Sequence, residues 1–358
     1  MNIAIFSPNQ NPYSETFIQA HKKNLKGKIY YYYGARNQIK LENDNLKNTL
    51  LDRSQFKFFK KASYFFWRVK LLKSLRHNKI DSILIEYGNH AHHLLPLLKK
   101  IKIPFVVHFH GYDASVNSVV ETCKNYKDVF NLANKVIVVS NAMKEKIENM
   151  GCTKKKIVLA TYGPNDLFFN IVPTFSKKQF ISIGRFVEKK APNLLILAFS
   201  KVVAKYPSYV LKMAGDGVLM NDCENLVTRL GIGNNVQFLG VVSPEKYRSE
   251  LQNSLAFVQH SITADNGDME GTPLAVLEAS AAGVPVVSTY HAGIPDVIIH
   301  QQTGLLCEER DVQKMAENII ELIENKELAI RLGTNGKARI KNEFNMNLHI
   351  AKIQKALN

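Results

Sequence analysis

The sequence predicts an α/β fold of two doubly wound, Rossmann-like domains, and three observations carry that prediction. At 358 residues the chain exceeds one average domain and suits two of roughly 150–200 residues. Short apolar runs alternate with longer stretches of helical periodicity from end to end, the pattern of parallel strands covered by helices on both faces. Between two such series lies Gly163–Lys178 (GPNDLFFNIVPTFSKK), where Gly, Pro and Asn interrupt the pattern. The expected domains are residues 1–165 and 175–345, followed by a short C-terminal helix over 346–358 that can cross back to the first.

The opening MNIAIFSPNQ has no positive segment ahead of its apolar residues. It reads as a first strand, Ile3–Phe6, and not as a signal peptide, so a cytoplasmic protein is expected. Ile29–Tyr33, Ser82–Ile85, Phe105–Phe109, Val136–Val139 and Ile157–Leu159 continue the first series. The four-tyrosine run Tyr30–Tyr33 is part of a strand and not a binding feature. The second series is Phe180–Ile183, Val210–Met213, Val236–Leu239, Leu255–Val258 and Val286–Ser288, with Ala191–Lys205 and Asp311–Glu324 among the helices.

Composition narrows the class. No apolar run approaches the roughly eighteen residues of a membrane-spanning helix. The four cysteines, Cys123, Cys152, Cys223 and Cys307, have neither paired spacing nor a neighbouring histidine, so a disulfide framework or zinc site is not expected. Residues 1–170 hold 27 Lys and Arg against 12 Asp and Glu, whereas residues 171–358 hold 20 against 19. Nearly all of the net charge of +16 therefore sits in the first half, which points that half towards an anionic surface or substrate. Nucleic acid is the weakest such partner, because no recognisable nucleic-acid module accompanies the charge.

Within that half, residues 53–79 contain nine Lys or Arg and no acid. At about 100° per residue, Phe58, Phe59, Ala62, Phe65, Phe66 and Val69 share one arc, with Arg53, Lys57, Lys60, Lys61 and Arg68 roughly opposite. Beyond Val69 the cations change sides, so the amphipathic unit is expected to end or bend there. Two readings stay open: a helix lying in an anionic membrane interface, at about 1 kcal/mol per cation, or one whose Phe arc packs on its own sheet.

Three segments carry chemistry. In DMEGTPLAVLEASAAGVPVVSTYHAGIPDV (Asp268–Val297), Gly271 and Thr272 precede Pro273, which suits the first position of a helix running from Leu274 to Ala282 and stopping at Gly283. The free amides at such a helix start form a natural phosphate site. Glu278 sits within that helix among apolar neighbours, where a carboxylate is costly unless it is hydrogen-bonded. The two hydroxyls of a ribose would satisfy it, and Glu270, eight positions earlier, could reach the other end of the same ligand. Glu278 capping a neighbouring loop is the alternative. In Gly184–Pro192 (GRFVEKKAP), Arg185 leaves a strand end and Lys190 lies just before a helix, where both could converge on a diphosphate; Lys189 is the rival for the lysine role. In VVHFHGYD (Val106–Asp113), alternation puts His108 and His110 on one face, with His110 nearer the turn at Gly111.

These residues resemble family 4 glycosyltransferases. The resemblance rests on the Arg185…Lys190 pair, the Ala214-Gly215-Asp216-Gly217 turn, the Glu270-x7-Glu278 element and His110-Gly111-x-Asp113, and it covers nearly the whole chain. The phrases SETFI (Ser14–Ile18), HFHGYD and GDMEGTP look closest to bacterial enzymes that build exopolysaccharide, O-antigen or colanic-acid units. What the resemblance implies is a GT-B architecture, two Rossmann-like domains facing a cleft. The activity implied is a retaining transfer, without a metal ion or cofactor, from a UDP- or GDP-linked sugar to a polyprenyl-linked or oligosaccharide acceptor, by a front-face route. Arg185 and Lys190 would neutralise the donor diphosphate and Glu278 would bind the ribose. Glu270 with the amides of Gly271, Thr272 and Leu274 around Pro273 would hold sugar and phosphate, and His110 would stabilise charge at the anomeric carbon. The enzyme would sit in the cytoplasm or on the inner face of the membrane.

The sequence departs from many relatives after the first strand. Their Gly-Gly loop is replaced by Ser7–Thr16, so Glu15 and Thr16, with Asp113, become candidates on the acceptor side. Two rival functions share the architecture. A sugar-nucleotide epimerase would need no acceptor, and a non-catalytic homologue regulating a partner transferase would not need Arg185, Lys190, Glu270 and Glu278 together.

Overall fold

The computed structural model of the protein describes residues 1–10, 15–35, 38–43 and 60–358. The chain divides into two compact units. One comprises Met1–Val139, Met143–Ala160 and Ile350–Asn358, the other Ser140–Ala142 and Thr161–His349.

The first unit is built on a seven-stranded sheet of β1 (Asn2–Ser7), β2 (Lys28–Tyr33), β3 (Lys40–Leu41), β4 (Ser82–Glu86), β5 (Phe105–His108), β6 (Lys135–Val138) and β7 (Ile157–Leu159). Their spatial order is β3-β2-β1-β4-β5-β6-β7. All pairings are parallel except that of β2 with β3. The strands are apolar throughout because helices cover both faces: every residue of β4, SILIE, is buried. From β1 the chain moves outward to β2 and then returns to the opposite side of β1 as β4. That reversal opens a crevice at the carboxyl ends of β1 and β4, where open α/β sheets bind ligands.

The second unit repeats the plan with β8 (Gln179–Ile183), β9 (Val210–Ala214), β10 (Val236–Gly240), β11 (Ala256–Val258), β12 (Val286–Thr289) and β13 (Gly304–Cys307). These are all parallel, in the order β10-β9-β8-β11-β12-β13, so the switch point lies between β8 and β11. Phe180, Leu211, Ala256 and Val287 from the sheet pack with Leu195, Phe199, Met315 and Ile319 from the Pro192–Lys205 and Val312–Glu324 helices in one core.

The last helix, Met346–Leu357, ends on the first unit. There Ser82 Oγ donates to the Leu357 carbonyl at 2.9 Å, and the Lys26 amide donates to Gln354 Oε1 at 2.8 Å. All four cysteines are free and buried, and burial pushes the Cys223 and Cys307 thiols up to about 12, far from a reactive range. Among the described residues no helix is long and apolar enough to cross a membrane.

The Lys60–His77 helix corrects one expectation. It continues through Val69 without ending, because Trp67, Leu71 and Leu75 recur at four-residue spacing and are buried. The residues of the basic segment from 53 to 59 lie outside the described residues, as do the side chains as far as Phe66.

Candidate active site

In the second unit the site assembles at the carboxyl ends of β8, β11 and β12. Beyond β8 the chain turns through Gly184 and Arg185 into a short helical turn, Glu188–Lys190, ahead of the Pro192–Lys205 helix. The Ala214–Gly217 turn packs against this loop: Gly215 has φ 130, and a Cβ there would fall on the Gly184 carbonyl oxygen. The Phe186 amide donates to the Asp216 carbonyl at 2.9 Å. The glycine is thus required by both its dihedral and its close approach.

The two lysines do different work. Lys189 is buried and donates to Asp268 Oδ1 at 2.9 Å and to the Met269 carbonyl at 3.1 Å, so it pins the loop that carries Glu270. Lys190 Nζ lies 3.3 Å from Glu270 Oε1 and donates to Gln259 Oε1, also at 3.3 Å. Burial lowers the Lys190 pKa, and the Glu270 carboxylate opposes that shift. For Glu270 burial acts upwards, but Lys190, Lys189 and His291 outweigh it and the carboxyl is held below its ordinary value. Arg185 is exposed beside this pair.

Glu270 is also held through its backbone. Its amide donates to His291 Nε2 at 3.1 Å, and His291 Nδ1 lies 2.6 Å from Glu309 Oε1. An N–H facing Nε2 requires a lone pair there, so the proton of His291 sits on Nδ1 and is donated to Glu309. Glu309 accepts in addition from the Thr263 amide at 2.8 Å. Neither His291 nor Glu309 nor Gln259 is signalled by the sequence, since all three lie outside any recognisable spacing.

The helix after Glu270 runs Leu274–Ala282 and stops at Gly283, as expected. Pro273, however, is the cap and not the first helical residue: its ψ is 120 and its carbonyl accepts from the Val276 and Leu277 amides. Gly271 and Thr272 are buried at the helix start, where the amides of Leu274 and Ala275 have no partner within the helix. Glu278 is one turn on from Leu274, on the same face. Among the described residues no hydrogen-bond partner reaches its carboxylate, and burial alone lifts its pKa to about 7. The buried hydroxyl of Tyr247, also without a partner, feels the same charge.

In the first unit β4 and β5 bring a second cluster together. Glu86, the last residue of β4, is fully buried. Its Oε1 lies 2.8 Å from His21 Nδ1, and its Oε2 lies 2.9 Å from His110 Nε2 and 3.6 Å from His108 Nδ1. The His108 and His110 ring centroids are 4.2 Å apart, and Phe17 stacks on His110 at 4.5 Å. Burial would raise the Glu86 pKa, but His21 and His110 reverse that and hold it at about 2. His21, Glu86 and His108 offer ligand atoms within 4.8 Å of one another. The 2.8 Å contact is nevertheless shorter than the roughly 3.3 Å between two ligands of one tetrahedral zinc ion, so His21 and Glu86 bond to each other.

Of the acceptor-side candidates, Glu15 precedes the Thr16–Asn24 helix without a side-chain capping bond and accepts from Asn9 Nδ2 at 3.1 Å and Tyr87 Oη at 2.9 Å. Thr16 is exposed. Asp113 is corrected: it is fully buried and its oxygens accept from the amides of Gly88 at 2.6 Å, His110 at 2.9 Å and Gly111 at 3.2 Å. Those three amides occupy it, so it shapes the loop that carries His110 instead of meeting an acceptor. Gly111, with φ 134, makes that loop possible.

Comparison with known proteins follows the division into two halves. The family model described as Glycosyl transferases group 1 matches residues 166–339, and that described as Glycosyltransferase Family 4 matches residues 38–163. The amylovoran biosynthesis glycosyltransferase AmsK of Erwinia amylovora is 29% identical over 283 residues, 77% of this chain and 69% of AmsK. WcaL of Escherichia coli, a glycosyltransferase named for colanic acid biosynthesis, is 26% identical over 258 residues, 70% of this chain and 63% of WcaL. Among solved structures, Anabaena HepE in complex with UDP superposes with a TM-score of 0.79 at 15% identity, covering 100% of this chain and 99% of HepE. The lipopolysaccharide outer core galactosyltransferase WaaB gives 0.72 at 17%, covering 99% of each. These structural likenesses establish the fold, GT-B.

Proposed function

We propose that the chain, which belongs to the glycosyltransferase family, moves a sugar from a nucleotide-sugar to a polyprenyl-linked or oligosaccharide acceptor in bacterial surface polysaccharide biosynthesis. The observation that carries this reading is Glu278: a carboxylate lifted to about 7 by burial, with no partner among the described residues, on the same helix whose start follows the Lys190–Glu270 pair. A desolvated carboxylate of this kind is costly to the free protein and is relieved by a ligand that offers two hydroxyl donors, as the ribose of a nucleotide does.

The remaining roles follow from chemistry at the β8–β11 switch point. Lys190 and exposed Arg185 supply positive charge for a diphosphate, the task a divalent ion performs elsewhere, so a metal is not required. The amides at the start of the Leu274–Ala282 helix add partial positive charge, and Glu270 is positioned for the hydroxyls of the donor sugar. His110 stabilises charge at the anomeric carbon, and the reaction proceeds with retention by a front-face route. AmsK and WcaL, named for amylovoran and colanic acid biosynthesis, favour a surface-glycan acceptor. The positive balance of residues 1–170 and the segment 53–79 favour attachment to an anionic bilayer from the cytoplasmic side.

Calorimetry with UDP, GDP, ADP and their common sugar conjugates, with and without EDTA, tests the donor reading. One nucleotide class binding equally well in EDTA is expected. Binding that disappears in EDTA would overturn the metal-free part, and binding of none would overturn the donor site.

A further inference from the structure

In the Glu86 cluster of the first unit Glu86, His21 and His108 are fully buried, and nothing in the transfer reaction described above uses Glu86 or His21. A structural role alone explains it poorly. Burying a carboxylate among imidazoles costs more than filling the same volume with apolar side chains, and the flanking strands are already apolar. The backbone is strained beside it as well: Tyr87 has φ 72, a conformation that a bulky residue rarely adopts. This strained residue bonds through its hydroxyl to Glu15 at 2.9 Å and packs against the His110 ring with centroids 4.6 Å apart.

Both oxygens of Glu86 are engaged by ring nitrogens, Oε1 by His21 and Oε2 by His110. An ionised carboxylate only accepts. The contact at 2.9 Å therefore places the His110 proton on Nε2 and leaves Nδ1 as the ring's basic nitrogen. His21, bonding at the other oxygen, stops the carboxylate from turning. Phe17, Tyr87 and His108 confine the plane of the His110 ring from three sides.

We propose that Glu86 is a positioning residue that fixes the tautomer and orientation of His110 and stabilises positive charge on it, with His21 bracing the carboxylate. The inference rests on the proposed catalytic role of His110, and the arrangement follows the carboxylate–imidazole logic by which a buried acid orients a working histidine. Asp113 contributes from the other side of the loop, holding the His110 amide at 2.9 Å. Glu86 thus governs the ring and Asp113 the backbone.

The test begins on the unmodified protein. Long-range ¹H–¹⁵N correlation of histidine-labelled chain, with His110 assigned by its loss in His110→Ala, should show protonated Nε2 and unprotonated Nδ1 at pH 8. Finding the proton on Nδ1 would overturn the proposal. Glu86→Gln is the second arm: an amide offers one acceptor and one donor, so it cannot receive N–H bonds from both His21 and His110. One of the two rings must then change tautomer or lose its bond. Turnover is read as nucleoside diphosphate release from UDP-glucose, UDP-galactose, UDP-N-acetylglucosamine and GDP-mannose. Glu86→Gln should lower kcat by about 30-fold or more, with nucleotide affinity within about twofold. A kcat within twofold of the unmodified protein would overturn the proposal if His110→Ala abolishes turnover. If His110→Ala itself retains turnover, the catalytic reading of His110 fails instead. Lower thermal stability and weaker nucleotide binding with an unchanged tautomer would mark Glu86 as structural only.

Discussion

Lys190 Nζ stands 3.3 Å from Glu270 Oε1 and the same distance from Gln259 Oε1, so one half-buried cation joins the loop after β8, the end of β11 and the helix start that follows Glu270. The neighbouring Lys189 is spent on Asp268 and Met269, which separates two adjacent lysines into a structural one and one at the site. Lys190→Ala should weaken nucleoside diphosphate binding by about 30-fold, the loss of one charge-assisted bond of about 2 kcal/mol. It should also destabilise the fold, because Glu270 would remain buried and unpaired. Calorimetric titration with UDP and GDP, together with a thermal melt, reads both. Unchanged affinity would remove Lys190 from the donor site.

Glu278 sets a pH dependence whose sign is opposite for binding and for folding. Its carboxyl titrates near 7 in the free protein, well above the ordinary value of about 4.3. A ribose diol donates to the ionised form, so nucleotide affinity should fall as pH drops through 7. For folding, the native state holds the proton more tightly than the unfolded chain, so stability falls as pH rises from about 4.3 to 7 and stays low above. Glu278→Gln should therefore raise the melting temperature at pH 8, with up to about 4 kcal/mol more stability, while abolishing nucleotide binding. A variant that binds nucleotide normally would make Glu278 part of the core.

Much of this was legible before the fold was known. The apolar strands of both series and the helix from Leu274 with its stop at Gly283 follow from local pattern, because each is fixed by residues close in sequence. What escaped detection was short or brought together by topology. β3 is two residues long, and β13, GLLC, follows its turn too quickly to show a period. Glu86 lies 65 residues from His21 and 24 from His110, and only the β1–β4–β5 order makes them neighbours. Asp113 was misread for a related reason: its place in a polar turn suggests exposure, but three backbone amides draw it inward.

His110→Ala should separate catalysis from binding. The ring belongs to the first unit, while the residues assigned to the nucleotide all belong to the second, so its removal should lower kcat by at least about 100-fold and leave UDP or GDP affinity within twofold. Parallel calorimetry and nucleoside diphosphate release decide this. Weakened affinity with intact turnover would make His110 a binding residue only.

His291 offers a test of how Glu270 is held. Its Nε2 accepts the Glu270 amide and its Nδ1 donates to Glu309, so His291→Phe keeps the ring's bulk and deletes both bonds. The Glu270 amide would then be buried without an acceptor, a cost of about 1–3 kcal/mol, and the Glu270 side chain would lose the backbone anchor that sets its distance from Lys190. Turnover should fall about 10- to 100-fold, as is typical when a supporting bond behind a working group is removed. Nucleotide affinity should fall less, because Lys190 and Glu278 are untouched. His291→Gln, whose amide can both accept and donate, should recover part of the loss. Equal activity in all three proteins, measured as nucleoside diphosphate release, would show that the Glu270 loop keeps its place through Lys189 and Asp268 alone.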